Sequence, residues 1–156
     1  MAQIDQFETY LLQLINNERA KVGVAAVAFD PELVNAAERH STRMDDFNFF
    51  AHKDPVDGSS VSTRATDAGY GWRGIGENIA YISGSNAAVL DNSDVLQLHT
   101  NLMNSSGHRA NILRSDWKEI GLAFDLGEHN GRPAIFLTEV FGLPTSTEFA
   151  EKDIWA

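Results

Sequence analysis

The sequence contains no cysteine, few basic residues and no long apolar run, and each deficit excludes a class of function. Without cysteine there can be no disulfide, no thiolate metal site and no cysteine nucleophile. Lysine and arginine number 12 against 22 aspartates and glutamates, and the resulting net charge of −10 repels nucleic-acid phosphates and anionic lipid surfaces. No stretch approaches the roughly 18 apolar residues of a transmembrane helix, and no signal-peptide pattern follows Met1. We therefore expect no nucleic-acid partner and no transmembrane segment.

With four prolines and 43% hydrophobic residues, the 156-residue chain has the composition of one globular domain, 1–156. Apolar periodicity and capping residues predict helices over about residues 4–22, 31–44, 60–68 and 93–103. Strands are predicted from Ile120 to Phe124 and from Ala134 to Phe141, joined by a hairpin turn at Asn130-Gly131. Helices that precede antiparallel strands indicate an α+β fold.

Three side chains are candidates for chemistry. A glycine-rich segment over residues 69–76 predicts a flexible coil, which places Glu77 at the entrance of a β-prone strand. His52 lies on a predicted loop, and His108 follows Ser106-Gly107. Two imidazoles and a carboxylate could bind zinc or transfer protons. Structural interpretations remain open as well, since Glu77 could cap a turn, His52 could bond a loop carbonyl and His108 could cap a helix.

The remaining titratable residues favour structural roles. His40 and His99 fall within predicted helices, where a surface or core role is favoured over ligation, and His129 falls in the hairpin loop, where we expect it to be exposed. The acidic loop 54–59 lacks the alternating acids of an EF-hand, so calcium is less favoured than zinc within this domain. A serine nucleophile elbow is also absent.

Five motifs occur in the order and at roughly the spacing of the CAP superfamily, which unites cysteine-rich secretory proteins, antigen 5 and pathogenesis-related class 1 proteins. They are the helical Leu-Leu-Gln-Leu-Ile-Asn-Asn-Glu-Arg-Ala from Leu11, the loop histidine His52, Gly-Glu-Asn-Ile-Ala around Glu77, Ser-Gly-His-Arg-Ala-Asn-Ile-Leu around His108, and Thr-Glu-Val-Phe-Gly around Glu139. The chain resembles the bacterial SCP-like branch over about residues 7–142. Residues 143–156 are then expected to form an extension or linker.

The resemblance implies a three-layer α-β-α sandwich, with a central antiparallel sheet flanked by helices and a cleft beside it. His52, Glu77 and His108 match the family's cleft residues, and the resemblance implies that the two histidines can hold a divalent metal, with Zn²⁺ as the candidate cofactor. Glu139 stands where the family usually has glutamine and would be a fourth member of the cleft. A second carboxylate there would raise one carboxyl pKa or favour a cation.

The resemblance also implies an extracellular protein, although the chain carries no N-terminal signal peptide. The loop after His52 is similar to bacterial members that are exported without a cleaved signal. Our leading hypothesis is a secreted module that binds a cell-wall glycan or peptide, or a lipid, in the cleft, with or without a divalent metal. One alternative is a metal-dependent hydrolase, protease-like or cell-wall-acting, with Glu77 as catalytic base and His52 and His108 as zinc ligands. The other alternative is a non-catalytic interaction scaffold. Binding is favoured because the sequence holds no self-sufficient nucleophile.

Overall fold

A computed structural model describes residues 4–146 as helices packed on both faces of one sheet. The helices are α1 (Gln6–Lys21), α2 (Pro31–Asp46), α3 (Val61–Asp67), α4 (Asn92–Met103) and α5 (Ser106–Leu113), with a 3-10 turn at Ser85–Ala88. The strands are β1 (Ala28–Phe29), β2 (Trp72–Ser83), β3 (Glu119–His129) and β4 (Arg132–Pro144). The predicted α+β sandwich is confirmed. Of the predicted extension or linker over residues 143–156, the structure places Leu143 and Pro144 in β4, and the part from residue 147 onward lies outside the described residues.

The four strands lie in the order β1-β3-β4-β2. β4 is antiparallel to both β2 and β3, whereas the two-residue β1 runs parallel to β3. The sheet is therefore mixed, where the sequence analysis expected a wholly antiparallel one. The hairpin turn lies at Asn130-Gly131, as predicted, and both residues have positive φ, 53° and 79°, which suits this dipeptide. Both hairpin strands are longer than predicted, because the ladder continues through the more polar residues next to the turn and, in β4, through Gly142 to Pro144.

Each face of the sheet packs on its own helices. Leu33 and Ala37 of α2 and Ala65 of α3 pack on Val140 on one face. The other face carries the larger core, in which α1, α4 and α5 cover the strands; its most buried side chains include Leu11, Ile15, Leu98, Ile112, Trp117, Leu137 and Phe141. Within residues 4–146, none of the helices combines the length and the apolar character that crossing a bilayer requires.

The predicted coil over residues 69–76 is wrong from Trp72 onward, where β2 begins. Gly76 serves packing rather than flexibility, because a Cβ at this position would lie 2.9 Å from Cζ2 of Trp117, a side chain that is 1% exposed. The indole ring therefore lies directly on the strand. Glu77 consequently sits inside β2, opposite Val140 of β4, and not at the strand entrance.

Candidate functional site

The carboxylate of Glu77 is buried and fully paired. Its side chain is 1% exposed, and it points to the sheet face covered by α2 and α3. Oε1 lies 2.9 Å from Nδ1 of His52, and Oε2 accepts a hydrogen bond of 2.7 Å from Nη2 of Arg64. The carboxylate therefore links the loop histidine to a buried cation.

Arg64 was not among the candidate site residues of the sequence analysis. Its side chain has no exposure and donates not only to Glu77 but also to the backbone oxygens of Ser59 at 3.0 Å and His52 at 3.1 Å. A signal was present, because Arg64 falls three residues after Val61 and one before Ala65, on the apolar face of α3. A cation on a helix face that packs inward requires a buried anion.

His40 supports the same loop from α2. It is fully buried, its Nε2 lies 2.8 Å from the oxygen of Ala51, and it is 3.9 Å from Oε1 of Glu77. Burial lowers the pKa of His40, and its Nε2–H donates to the Ala51 carbonyl. The core role predicted for this histidine agrees with the geometry, and it holds the residue that precedes His52.

The imidazole of His52 projects from this support into solvent. Its side chain is 60% exposed, and its Nδ1–H donates to the Glu77 carboxylate, which raises the pKa of His52. Among residues 4–146, Nε2 of His52 has no hydrogen-bond partner. The ring is thus fixed through one nitrogen and free to contact a ligand through the other.

His108 faces the same groove from the first turn of α5. Its Nδ1 lies 2.8 Å from Oγ of Ser105, and burial, together with the nearby His52, lowers its pKa. The groove between the helical layers has a volume of about 380 Å³, within the usual range for ligand sites. It is lined by Phe50, Ala51, His52, Ile79, Ala80, Tyr81, Asn101, Leu102, Ser105 and His108.

Glu139 lies on the opposite face of the sheet from Glu77. It pairs in register with Asn78, whose Nδ2 donates to Oε1 of Glu139 at 3.2 Å and to the oxygen of His108 at 3.0 Å. Because side chains alternate along a strand, Glu77 and Asn78 point to different faces. The pKa of Glu139 is raised to about 7 by burial, and not by a neighbouring carboxylate as the sequence suggested. Glu139 contacts the site indirectly, through Asn78 and the backbone of α5.

The other candidate residues take structural positions. Asp54 is buried and pairs with Arg43, and it accepts backbone N–H bonds of its own loop, so the acidic loop is closed by protein groups rather than open to calcium. His99 is buried in the core. His129 lies at the end of β3, half-buried and 4.7 Å from Tyr81 ring to ring, so its predicted exposure is wrong. Within residues 4–146, no three His, Cys, Asp or Glu side chains converge to hold a metal.

A mixed sheet between two helical layers, with a histidine-lined groove at its edge, defines an SCP-type α-β-α sandwich. The sequence profile of the cysteine-rich secretory protein family, CAP, matches residues 12–141. The chain belongs to this family, as its motifs predicted.

Individual relatives agree with this assignment. The chain is 30% identical over 123 residues to the uncharacterized protein YkwD of Bacillus subtilis, a match that spans 79% of this chain and 44% of YkwD. An extracellular protein of Bacillus anthracis with an SCP domain shares the fold at a TM-score of 0.65 and 24% identity, over 91% of this chain and 45% of that one. NaASP2, solved with Zn²⁺, shares it at 0.61 and 13% identity, over 87% and 80%. The chain thus spans less than half of YkwD and of the Bacillus anthracis protein.

Proposed function

We propose that this chain is an extracellular binding module that takes a cell-wall glycan or peptide, or a lipid, in the groove between His52 and His108. The observation that carries the proposal is the support behind His52. Three hydrogen bonds hold the ring or the backbone beside it: the ring donates to Glu77, and Arg64 and His40 donate to the backbone oxygens of His52 and Ala51, while Nε2 stays open toward the groove. Because the side chain is already ordered, binding a ligand costs it little further conformational entropy.

In this proposal Glu77 is a positioning residue rather than a general base. A base must reach the proton that it removes, within about 3 Å or through one water. Both oxygens of Glu77 are bonded to His52 and Arg64, and its side chain is 1% exposed. The hydrolase alternative therefore lacks an accessible carboxylate at Glu77, and binding is the better supported function.

The groove also suits a divalent metal as part of the binding site. His52 and His108 each bond a protein group through Nδ1, an arrangement that fixes the ring and leaves Nε2 for a metal. These two imidazoles would hold Zn²⁺, with its other ligands supplied by water or by the bound molecule. A bound zinc would supply Lewis acidity and lower the pKa of its water to about 7. Because NaASP2 shares this fold and was solved with Zn²⁺, zinc is the metal to test first.

The test follows the two imidazoles by NMR while soluble peptidoglycan fragments, and separately oleate-containing phosphatidylcholine vesicles, are added. We expect one of these probes to shift the His52 and His108 ring signals, and His52→Ala to weaken binding at least about tenfold. Gln97→Ala, an exposed change on α4, should have no effect. Binding that is unchanged in His52→Ala and His108→Ala would refute the groove.

A zinc titration separates the metal-dependent form. We expect calorimetric Zn²⁺ binding that EDTA reverses, that is lost in His52→Ala and His108→Ala, and that strengthens between about pH 5.5 and 7 as the imidazoles lose protons. Chelator-sensitive release of peptidoglycan products would instead favour the hydrolase. A partner protein whose capture tolerates loss of both histidines would favour the interaction scaffold.

A further inference from the structure

β2 forms one edge of the sheet and has a free side. Within the described range 4–146 the strand order ends at β2, which pairs only with β4, so one row of its backbone N–H and C=O groups points away from the sheet. Such an edge is a template for another extended chain. Most natural edges are blocked by charge, proline or a covering element, but the middle of β2 forms the floor of the groove.

The hydrogen bonds of β4 show which residues of β2 face outward. The N–H of Lys118 donates to the oxygen of Gly142 at 3.0 Å, so even-numbered residues of β4 direct their backbone groups toward β3. The N–H of Gly84 donates to the oxygen of Pro133 at 2.8 Å, so odd-numbered residues of β4 face β2. Antiparallel residues alternate in this way along a ladder.

The register transfers this pattern to β2. Glu139 faces β2 and pairs with Asn78, so even-numbered residues of β2 form the ladder and odd-numbered residues direct both backbone groups outward. An independent contact agrees, because Nδ2 of Asn111, from α5, reaches the oxygen of Glu77 at 3.4 Å. The next outward residues are Ile79 and Tyr81.

Ile79 and Tyr81 offer their outward groups to the groove. Within residues 4–146, neither backbone has a hydrogen-bond partner outside the β2–β4 ladder, and both residues line the groove. Ile79 is 5% exposed and Tyr81 is half-buried, so these groups lie at the base of a recess rather than on open surface. Backbone groups in such a recess gain most from a partner that supplies matching N–H and C=O groups.

The side chains around this edge set the chemistry of an added strand. His52 bonds Glu77, so it lies toward Ile79, whereas the ring of Phe50 is 4.8 Å from that of Tyr81. Among residues 4–146, no carboxylate lines the groove, although the chain carries a net charge of −10, and the nearby Glu77 is covered. Beside Ile79 and Tyr81, the imidazole of His52 therefore offers a polar contact and the ring of Phe50 offers an apolar one.

We infer that the groove binds an extended segment of a partner protein, which pairs with β2 at Ile79 and Tyr81 and places an acidic side chain beside His52 and an apolar one, two residues away, against Phe50. The inference rests on the proposed function and narrows its ligand to a peptide strand. Main-chain bonds supply the pairing, and the two alternate side chains supply the selectivity.

The first test is selection from a library of random L-octapeptides with blocked ends. We expect enriched peptides with Asp or Glu two positions from a large apolar residue. N-methylation of an amide that faces β2 should weaken a selected peptide about tenfold, the loss of one to two hydrogen bonds, whereas N-methylation of the next amide should have little effect. Failure to enrich any peptide, or equal effects of the two methylations, would overturn the inference.

Hydrogen exchange supplies a direct readout of the edge. In the bound protein the amides of Ile79 and Tyr81 should gain protection, while that of Ala80, already in the ladder, should change little. Phe50→Ala should weaken the selected peptide about tenfold, and the matched control Phe47→Ala, also an exposed aromatic near the end of α2, should not. Protection that appears elsewhere, or equal effects of the two alanine variants, would contradict β2 pairing.

The two proposals fail separately. If peptidoglycan fragments or oleate vesicles shift the His52 and His108 signals while no peptide is enriched, the peptide strand is refuted and the binding groove stands. If no probe of either kind shifts these signals, both are refuted.

Discussion

Replacing Arg64 with methionine tests the buried support of the site. Methionine keeps a long side chain in the space but leaves the Glu77 carboxylate, 1% exposed, without its cation. Removing one partner of a buried ion pair costs about 3–5 kcal/mol. Because 1 kcal/mol shifts Tm by about 2–4 °C in a chain of this size, we expect Tm to fall by about 6–20 °C.

Urea unfolding followed by circular dichroism measures this loss, with Arg109→Met as the exposed control, expected within about 0.5 kcal/mol of wild type. The double variant Arg64→Met/Glu77→Gln removes both charges and should recover part of the loss. The single variant Arg64→Met should also raise the pKa of His52, because the Arg64 charge lowers it. A loss below about 1 kcal/mol for Arg64→Met, or a double variant less stable than the single one, would refute a buried pair at this position.

Three further changes test the rest of the site. NMR titration should give His52 a higher pKa than His108, and Glu77→Gln should lower the pKa of His52; the same midpoint in both proteins would contradict the bond between them. Glu139 has a folded pKa of about 7, above its value of 4.5 when unfolded, so it binds more protons in the folded state. Its contribution to stability is therefore lost as the pH rises between these two values. At pH 8, Glu139→Gln should be more stable than wild type by about 3 kcal/mol in urea unfolding, and an equal pH dependence in both proteins would refute this. Gly76→Ala should cost about 1–3 kcal/mol, because the added methyl meets the Trp117 ring, whereas Gly107→Ala, where a Cβ meets nothing within 4 Å, should cost less than about 0.5 kcal/mol; equal losses would refute the packing role.

The sequence predicted α1 to α4, since caps such as Asp30-Pro31 and apolar periodicity act locally, but it did not predict α5. It was wrong at residues 69–76, because glycines that make room for a ring have the same composition as glycines that make a coil flexible. That distinction depends on Trp117, which is 41 residues after Gly76 in the chain, and no local pattern reports it. The parallel pairing of β1 was missed for a similar reason, as two residues show no periodicity.

The site residues also show which features local motifs predict and which depend on distant parts of the chain. Motifs predicted His52, Glu77 and His108 as cleft residues, and the structure brings the two imidazoles to one groove with Glu77 behind His52. Motifs could not assign the faces of β2, because a strand register is set by its neighbours. In the observed register of β2 and β4, Glu139 pairs with Asn78, so its side chain lies on the sheet face opposite to that of Glu77.

The position of Glu77 within a strand, rather than at its entrance, changes what this residue can do. A carboxylate on a flexible coil could move to meet a substrate, whereas one in the ladder opposite Val140 has a fixed reach and both its oxygens are occupied. Any ligand that pulls on His52 therefore acts against Glu77, and through it against Arg64, which also binds the His52 and Ser59 carbonyls. Displacing the ring would break its hydrogen bond to Glu77, whose other oxygen is held by Arg64. These contacts hold the free nitrogen of His52 in place beside the edge of β2. Such an arrangement favours recognition of a ligand of fixed shape over chemistry that requires a mobile base.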